Sequence, residues 1–150
     1  MTTRQKGFTL SELMITLAII GVLAGLAWQQ YNKYILRTGR SEATSMLLDV
    51  AAREERFHVQ TGHYVIDSNQ MADLGLKSLY SKTYATGTGP SDSRYTLSIA
   101  TGDTDDSFRL TATVRPDGPQ AADPVCRQFS LDDTGAKGHD GDDTDPGGCW

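Results

Sequence analysis

Gly7-Phe8-Thr9-Leu10-Ser11-Glu12-Leu13 opens a stretch that continues Met14-Ile15-Thr16-Leu17-Ala18-Ile19-Ile20-Gly21-Val22-Leu23-Ala24-Gly25-Leu26-Ala27-Trp28. After Glu12 its only polar interruption is Thr16. Phe8 to Trp28 is 21 residues, about 30 Å of helix, which matches the hydrocarbon core of a bilayer. Arg4 and Lys6 precede the span, which predicts a cytoplasmic N-terminus and places everything after Trp28 across the membrane. Trp28 and Tyr31 then fall where an interfacial aromatic belt lies. A cleaved secretory signal would end in a small-residue site and carry no acid, whereas this run ends Leu23-Ala24-Gly25-Leu26-Ala27-Trp28 and holds Glu12. A plain anchor accounts for the length but not for Glu12. An ionisable group in a membrane helix costs roughly 2.5–3.5 kcal/mol on insertion scales, and so points to a function.

Both oddities have one explanation. Gly7, Phe8 and then Thr9-Leu10-Ser11-Glu12-Leu13 closely resemble the type III signal of type IV pilins, in which a prepilin peptidase cuts after the glycine and methylates the new N-terminus. The resemblance implies a leader of residues 1–7, cleavage between Gly7 and Phe8, N-methylation of Phe8, and a retained transmembrane and filament-core helix over 8–29. It also implies that Glu12 pairs with the N-terminal amine of a neighbouring subunit, so that assembly relieves a charge costly in lipid alone. Gly21 and Gly25 form a small-xxx-small pair suited to close helix approach. One departure stands out: many pilins carry proline where this chain has Gln29. Proline would break an intrahelical bond, so here the helix is expected to run on uninterrupted.

The remainder, 30–150, reads as a single small head outside the membrane. Ala43, Met46, Leu47, Val50, Ala51 and Phe57 recur at helical steps, with Arg40, Glu42, Asp49, Arg53, Glu54 and Arg56 assigned to the other face. One helix is therefore expected from about Phe8 to Val59, its head portion covering 30–60, with Gly39 as a weak point and Gly62 as the stop. A connector over 61–92 follows. Tyr95, Leu97 and Ile99, then Phe108, Leu110, Ala112 and Val114, alternate as strands, and a third run covers Val125 to Leu131. The fold class is α+β, a long helix packed on three or four antiparallel strands over 93–131. Cys126 and Cys149, an even pair in an exported chain, read as a disulfide closing the loop 126–149. The order of Phe108, Leu110, Cys126, Phe129, Leu131, Gly135 and Cys149-Trp150 is similar to the minor pilins of the type IVa system.

The chain carries a net charge of −5 over 150 residues. From Asp117 to Trp150 eight Asp face only Arg127 and Lys137, a local −6. Such a face repels phosphate, so direct nucleic-acid binding is not expected there, although a local basic stripe elsewhere is compatible with the count. Asp140, Asp142, Asp143 and Asp145 are the one candidate cation set, for calcium. Thr144 and Asp145 stand where an EF-hand wants its fifth-position ligand and its glycine, and no bidentate Glu follows; a solvated acidic loop is the simpler reading. His58, His63 and His139 have no nucleophile or ligand set nearby in sequence and read as surface or packing residues. No enzyme and no cofactor are expected.

The resemblance implies a structural subunit, of the minor branch, in a type IV pilus serving twitching motility, adhesion or DNA uptake. Its implied partners are other pilin subunits, the prepilin peptidase, the inner-membrane assembly platform and, before assembly, membrane lipid. Its implied location is the inner membrane as a single-pass protein, then the extracellular pilus. The alternatives are a pseudopilin of type II secretion and a pilin whose head receives DNA.

Overall fold

A computed structural model describes residues 7–76, 84–85, 93–104, 106–140 and 148–150. The chain falls into two compact units, Met1–Ile35 and Leu36–Trp150. A single helix, α1 (Leu10–Thr61), supplies most of the first and the backing element of the second. It starts two residues later than expected because Thr9 caps it. Thr9 Oγ1 accepts the Glu12 N–H at 3.3 Å, and Glu12 Oε2 accepts the Thr9 N–H at 2.9 Å, a reciprocal capping box. The backbone stays helical through position 29, as the missing proline led us to expect. The helix stops at Gly62, whose φ of +81° suits a residue without Cβ and whose N–H donates to His58 O at 2.7 Å.

In the second unit a short 3-10 turn (Ser68–Gln70) leads to one antiparallel sheet. Its strands, in spatial and chain order, are β1 (Tyr84–Ala85), β2 (Tyr95–Thr101), β3 (Phe108–Val114), β4 (Gln128–Asp132) and β5 (Lys137–Asp140). Strands β2, β3 and β4 fall in the three runs expected from the sequence, whereas β1 and β5 were not expected. The last lies beyond the expected boundary at 131, because Asp132 folds the chain back. Its Oδ1 accepts from Thr134 N and Ala136 N at 3.1 and 2.9 Å, and Gly135 takes φ +79°. Leu131 then pairs with Lys137 and Phe129 with His139.

Alternation sorts each strand as the sequence demands. Tyr95, Leu97 and Ile99, Phe108, Leu110, Ala112 and Val114, and Phe129 and Leu131 are buried, and they share one core with Ala43, Met46, Leu47 and Val50 of α1. Ala51 and Phe57 sit half-buried at its margin. A fully buried side chain of this size contributes about 1.5–3 kcal/mol. Edge-to-face rings, Tyr95 on Phe129 at 5.6 Å and Tyr64 on Phe108 at 5.0 Å, fix the packing.

Two sequence expectations need correction. Arg40 and Glu54 were assigned to the solvent face of the helix, yet both are buried. Gly39 has a packing role that the sequence did not show. It is buried, and a Cβ there would run into the Gln120 side chain, so glycine is what lets the β3–β4 loop lie against the helix. That loop is fastened by Asp123. Arg40 donates to it twice, Nε to Oδ2 at 2.8 Å and Nη2 to Oδ1 at 2.9 Å. Gln120 Nε2 reaches both Asp123 Oδ2, at 2.8 Å, and Leu36 O, at 2.9 Å. The Val125 and Cys126 N–H groups complete the set at 3.0 and 3.3 Å. Burial alone would raise the Asp123 carboxyl, but these donors outweigh it and hold it below its usual value.

Two substitutions test this reading by urea unfolding of the full chain in detergent. Arg40→Met should cost about 3–5 kcal/mol, because it leaves a buried carboxylate without its cation. Gly39→Ala should destabilise, although alanine is better than glycine by about 1 kcal/mol in an open helix. A stabilised Gly39→Ala protein would contradict the close approach of Gln120.

Candidate filament-assembly site

The residues implicated by the N-terminal motif sit together at the head of α1. Phe8 is 87 % exposed, just before the capping box. The Glu12 carboxylate is exposed and, among the described residues, bonds its own helix start, with Thr9 Oγ1 donating to Oε2 at 2.8 Å. The Thr9 amide and hydroxyl therefore satisfy one of its oxygens, and its charge has no cationic partner among the described residues. Beyond it Leu13, Met14, Ile15, Leu17, Ile19, Ile20, Val22, Leu23 and Leu26 are all at least half-exposed. That apolar stretch is long enough to cross a membrane by length and composition. Nothing lies within 4 Å of a Cβ built at Gly21 or Gly25, so both leave backbone open to a neighbour. What this surface can do chemically is exclude water on contact with lipid or with other apolar helices, while presenting one fixed negative charge.

At the other end of the chain Cys126 and Cys149 are joined, 23 residues apart in sequence, with both half-cystines buried. The bond holds Trp150 on the sheet. Its ring meets Phe129 edge-on at 6.0 Å, its Nε1 donates to Gly138 O at 2.8 Å, and Lys137 Nζ lies 4.9 Å over its face. Of the acidic candidates Asp140 belongs to β5, where its carbonyl accepts the Arg127 N–H at 3.1 Å. Asp142, Asp143 and Asp145 lie outside the described residues. Among the described residues there is no group of three or more His, Cys, Asp or Glu fit to hold a metal. Two histidines pack on aromatic rings, His58 stacked on Tyr64 at 4.1 Å and His63 edge-on to Phe57 at 5.5 Å.

Three arginines missed as a set by sequence reading meet at one end of the sheet. Arg94 precedes β2, Arg115 follows β3 and Arg127 precedes β4. Their backbones are tied, Arg115 N to Arg94 O at 3.0 Å and Val114 N to Arg127 O at 2.8 Å. Arg94 is paired with Glu42 at 3.1 Å and Arg115 with Asp117 at 2.9 Å, while Arg127 is exposed. The only sequence signal was their position beside strand ends, which the hairpin topology turns into proximity.

A long N-terminal helix, apolar in its first half and packed on an antiparallel sheet in its second, with a methylation-type signal and a C-terminal disulfide, defines a type IV pilin. Residues 2–28 match the prokaryotic N-terminal methylation motif. Residues 30–130 match the family described as "Type IV minor pilin ComP, DNA uptake sequence receptor", and the chain belongs to that family. Among curated proteins it is similar to the type IV major fimbrial protein FimA of Dichelobacter nodosus, 59 % identical over 46 residues, which is 31 % of this chain and 29 % of the relative. FimA of Dichelobacter nodosus strain VCS1703A shows the same identity over 28 % of its length. A Dichelobacter nodosus fimbrial protein is 54 % identical over 46 residues. The match thus spans less than a third of these relatives.

The disulfide yields a prediction. Reducing it, or substituting both cysteines by serine, should lower the stability of the head by about 3 kcal/mol for a loop of this size, read as a shift of the urea midpoint. It should also expose Trp150, read as a red shift of its fluorescence.

Proposed function

We propose that this chain is a structural subunit of a type IV pilus, incorporated as a minor pilin. The observation that carries the reading is the start of α1: Gly7-Phe8 immediately before a capped helix whose Glu12 has no cationic partner among the described residues and heads an exposed apolar surface. In this reading the prepilin peptidase cuts after Gly7 and methylates Phe8. The chain waits in the inner membrane with its N-terminus cytoplasmic and its head periplasmic. The assembly platform then lifts it into a filament of other pilin subunits, where Glu12 meets a neighbour's amine. A buried ion pair is formed as a charge in lipid is removed, which gives extraction its direction.

A second reading concerns the head. The family description names a DNA uptake sequence receptor, and Arg94, Arg115 and Arg127 stand at neighbouring strand ends, with Arg127 exposed. Guanidinium groups suit phosphate oxygens, and two of these three would have to be shared with Glu42 and Asp117.

Glu12→Gln tests the first reading. The variant should still be cut and methylated in cells, yet it should disappear from sheared filaments. Unchanged incorporation would contradict the pairing. For the second, fluorescence anisotropy of the full chain in detergent with duplex DNA should show salt-sensitive binding that Arg127→Glu weakens at least several-fold. Binding that ignores both salt and that substitution would contradict this second reading.

A further inference from the structure

Glu54 is wholly buried on α1 and takes no part in the assembly site or in the arginine set. Its Oε2 accepts the Val65 N–H at 3.0 Å, and its Oε1 has no hydrogen-bond partner among the described residues. Val65 is itself 2 % exposed. Between the two residues the chain reverses at Gly62, so this bond pins the start of the connector back onto the helix that precedes it. The next fastening is Ser68, whose Oγ accepts from Ile99 N at 2.8 Å and donates to Ile99 O at 3.1 Å.

A neutral glutamine would serve this architecture at any pH, but a carboxyl serves it only in part. The Glu54 carboxyl is raised to about 7, with burial pushing it up, the Val65 N–H drawing it down and the neighbouring Glu55 charge pushing it up. Among the described residues, the charged groups at neighbouring positions are engaged elsewhere. On α1, Arg53 is engaged with Asp49 and with Leu74 O, at 2.9 and 3.2 Å. One turn on, His58 Nε2 lies 4.0 Å from Asp106 Oδ2 of the β2–β3 turn. On the connector side Tyr64 donates to Glu55 Oε1 at 3.3 Å, and Asp67 accepts from Asn69 at 2.8 Å.

We propose that Glu54 is a pH-sensitive latch on the helix–connector junction: protonated it stays in the core against Val65, and ionised, with one N–H to offset a buried charge whose other oxygen has no partner among the described residues, it draws water in and frees the chain from Gly62 to Ser68. The proton passes to and from solvent, and no other group is consumed. The folded carboxyl lies above its ordinary value of 4.5, so its contribution to stability is complete below 4.5 and is lost as pH rises through about 7. The head is therefore firmer on the acid side of neutrality. The inference does not depend on the pilus reading.

The test uses the full chain in detergent micelles, with carboxyl-carbon NMR of Glu54, amide exchange at Val65 and urea unfolding between pH 4.5 and 8. The Glu54 resonance should titrate near neutrality. Val65 exchange should accelerate across that range by more than base catalysis alone. The folding equilibrium constant should fall by up to about 300-fold relative to that of Glu54→Gln, which stays flat. If Glu54→Gln fails to fold, the titration and the exchange of the natural chain still decide. A Glu54 midpoint near 4.5, or Val65 protection that does not change with pH, would overturn the latch.

Discussion

The head depends on one buried contact, the double hydrogen bond between Arg40 and Asp123. Without it nothing in the sheet ladder would hold the β3–β4 loop to the helix, since β3 and β4 are joined to each other whether or not the loop is docked. The pair spans 83 residues of sequence and sits beside Cys126, whose N–H it also receives. The disulfide and the Trp150 anchor are therefore built on a loop that Arg40 has already placed. Buried ion pairs seldom add net stability over apolar packing, but breaking one is expensive, so a pair in this place fixes which loop conformation is folded. Gly39 belongs to the same arrangement, because only a residue without Cβ leaves room for Gln120 beside the pair.

The start of α1 shows a contrasting use of charge. Asp123 is buried and answered by several donors, whereas Glu12 is exposed and, among the described residues, answered by its own helix start. A capping box satisfies backbone donors without neutralising the carboxylate. In a helix that crosses lipid this leaves a cost unrelieved until another chain supplies a cation. The proposed assembly step is this physical asymmetry, with the apolar surface from Leu13 onward providing the remaining attraction once helices meet.

Much of this was legible in the sequence because it obeys short-range periodicities. The period of two in Tyr95-Leu97-Ile99 and Phe108 to Val114 set strand faces, and the three- and four-residue steps of Ala43 to Val50 set the helix face. The paired cysteines and the Gly7-to-Glu12 signal needed no structure at all. What escaped was non-local. Arg40 and Glu54 looked like solvent residues because charge is the usual mark of a solvated face, and their partners lie far along the chain or on a backbone amide. The strand Lys137–Asp140 was hidden by composition: its four residues are lys, gly, his and asp, and a turn set by Asp132 puts them in register. The Arg94, Arg115 and Arg127 set escaped because only the hairpin topology brings strand ends together.

The central claim is that the chain is processed at Gly7 and built into a filament. Quantitative mass spectrometry of surface filaments sheared from cells addresses it directly. The account predicts an N-terminal peptide that begins at Phe8 and carries one added methyl, present at a small fraction of the most abundant pilin. A chain absent from filaments, or still beginning at Met1, would contradict assembly, and a chain that dominated them would contradict its place as a minor subunit.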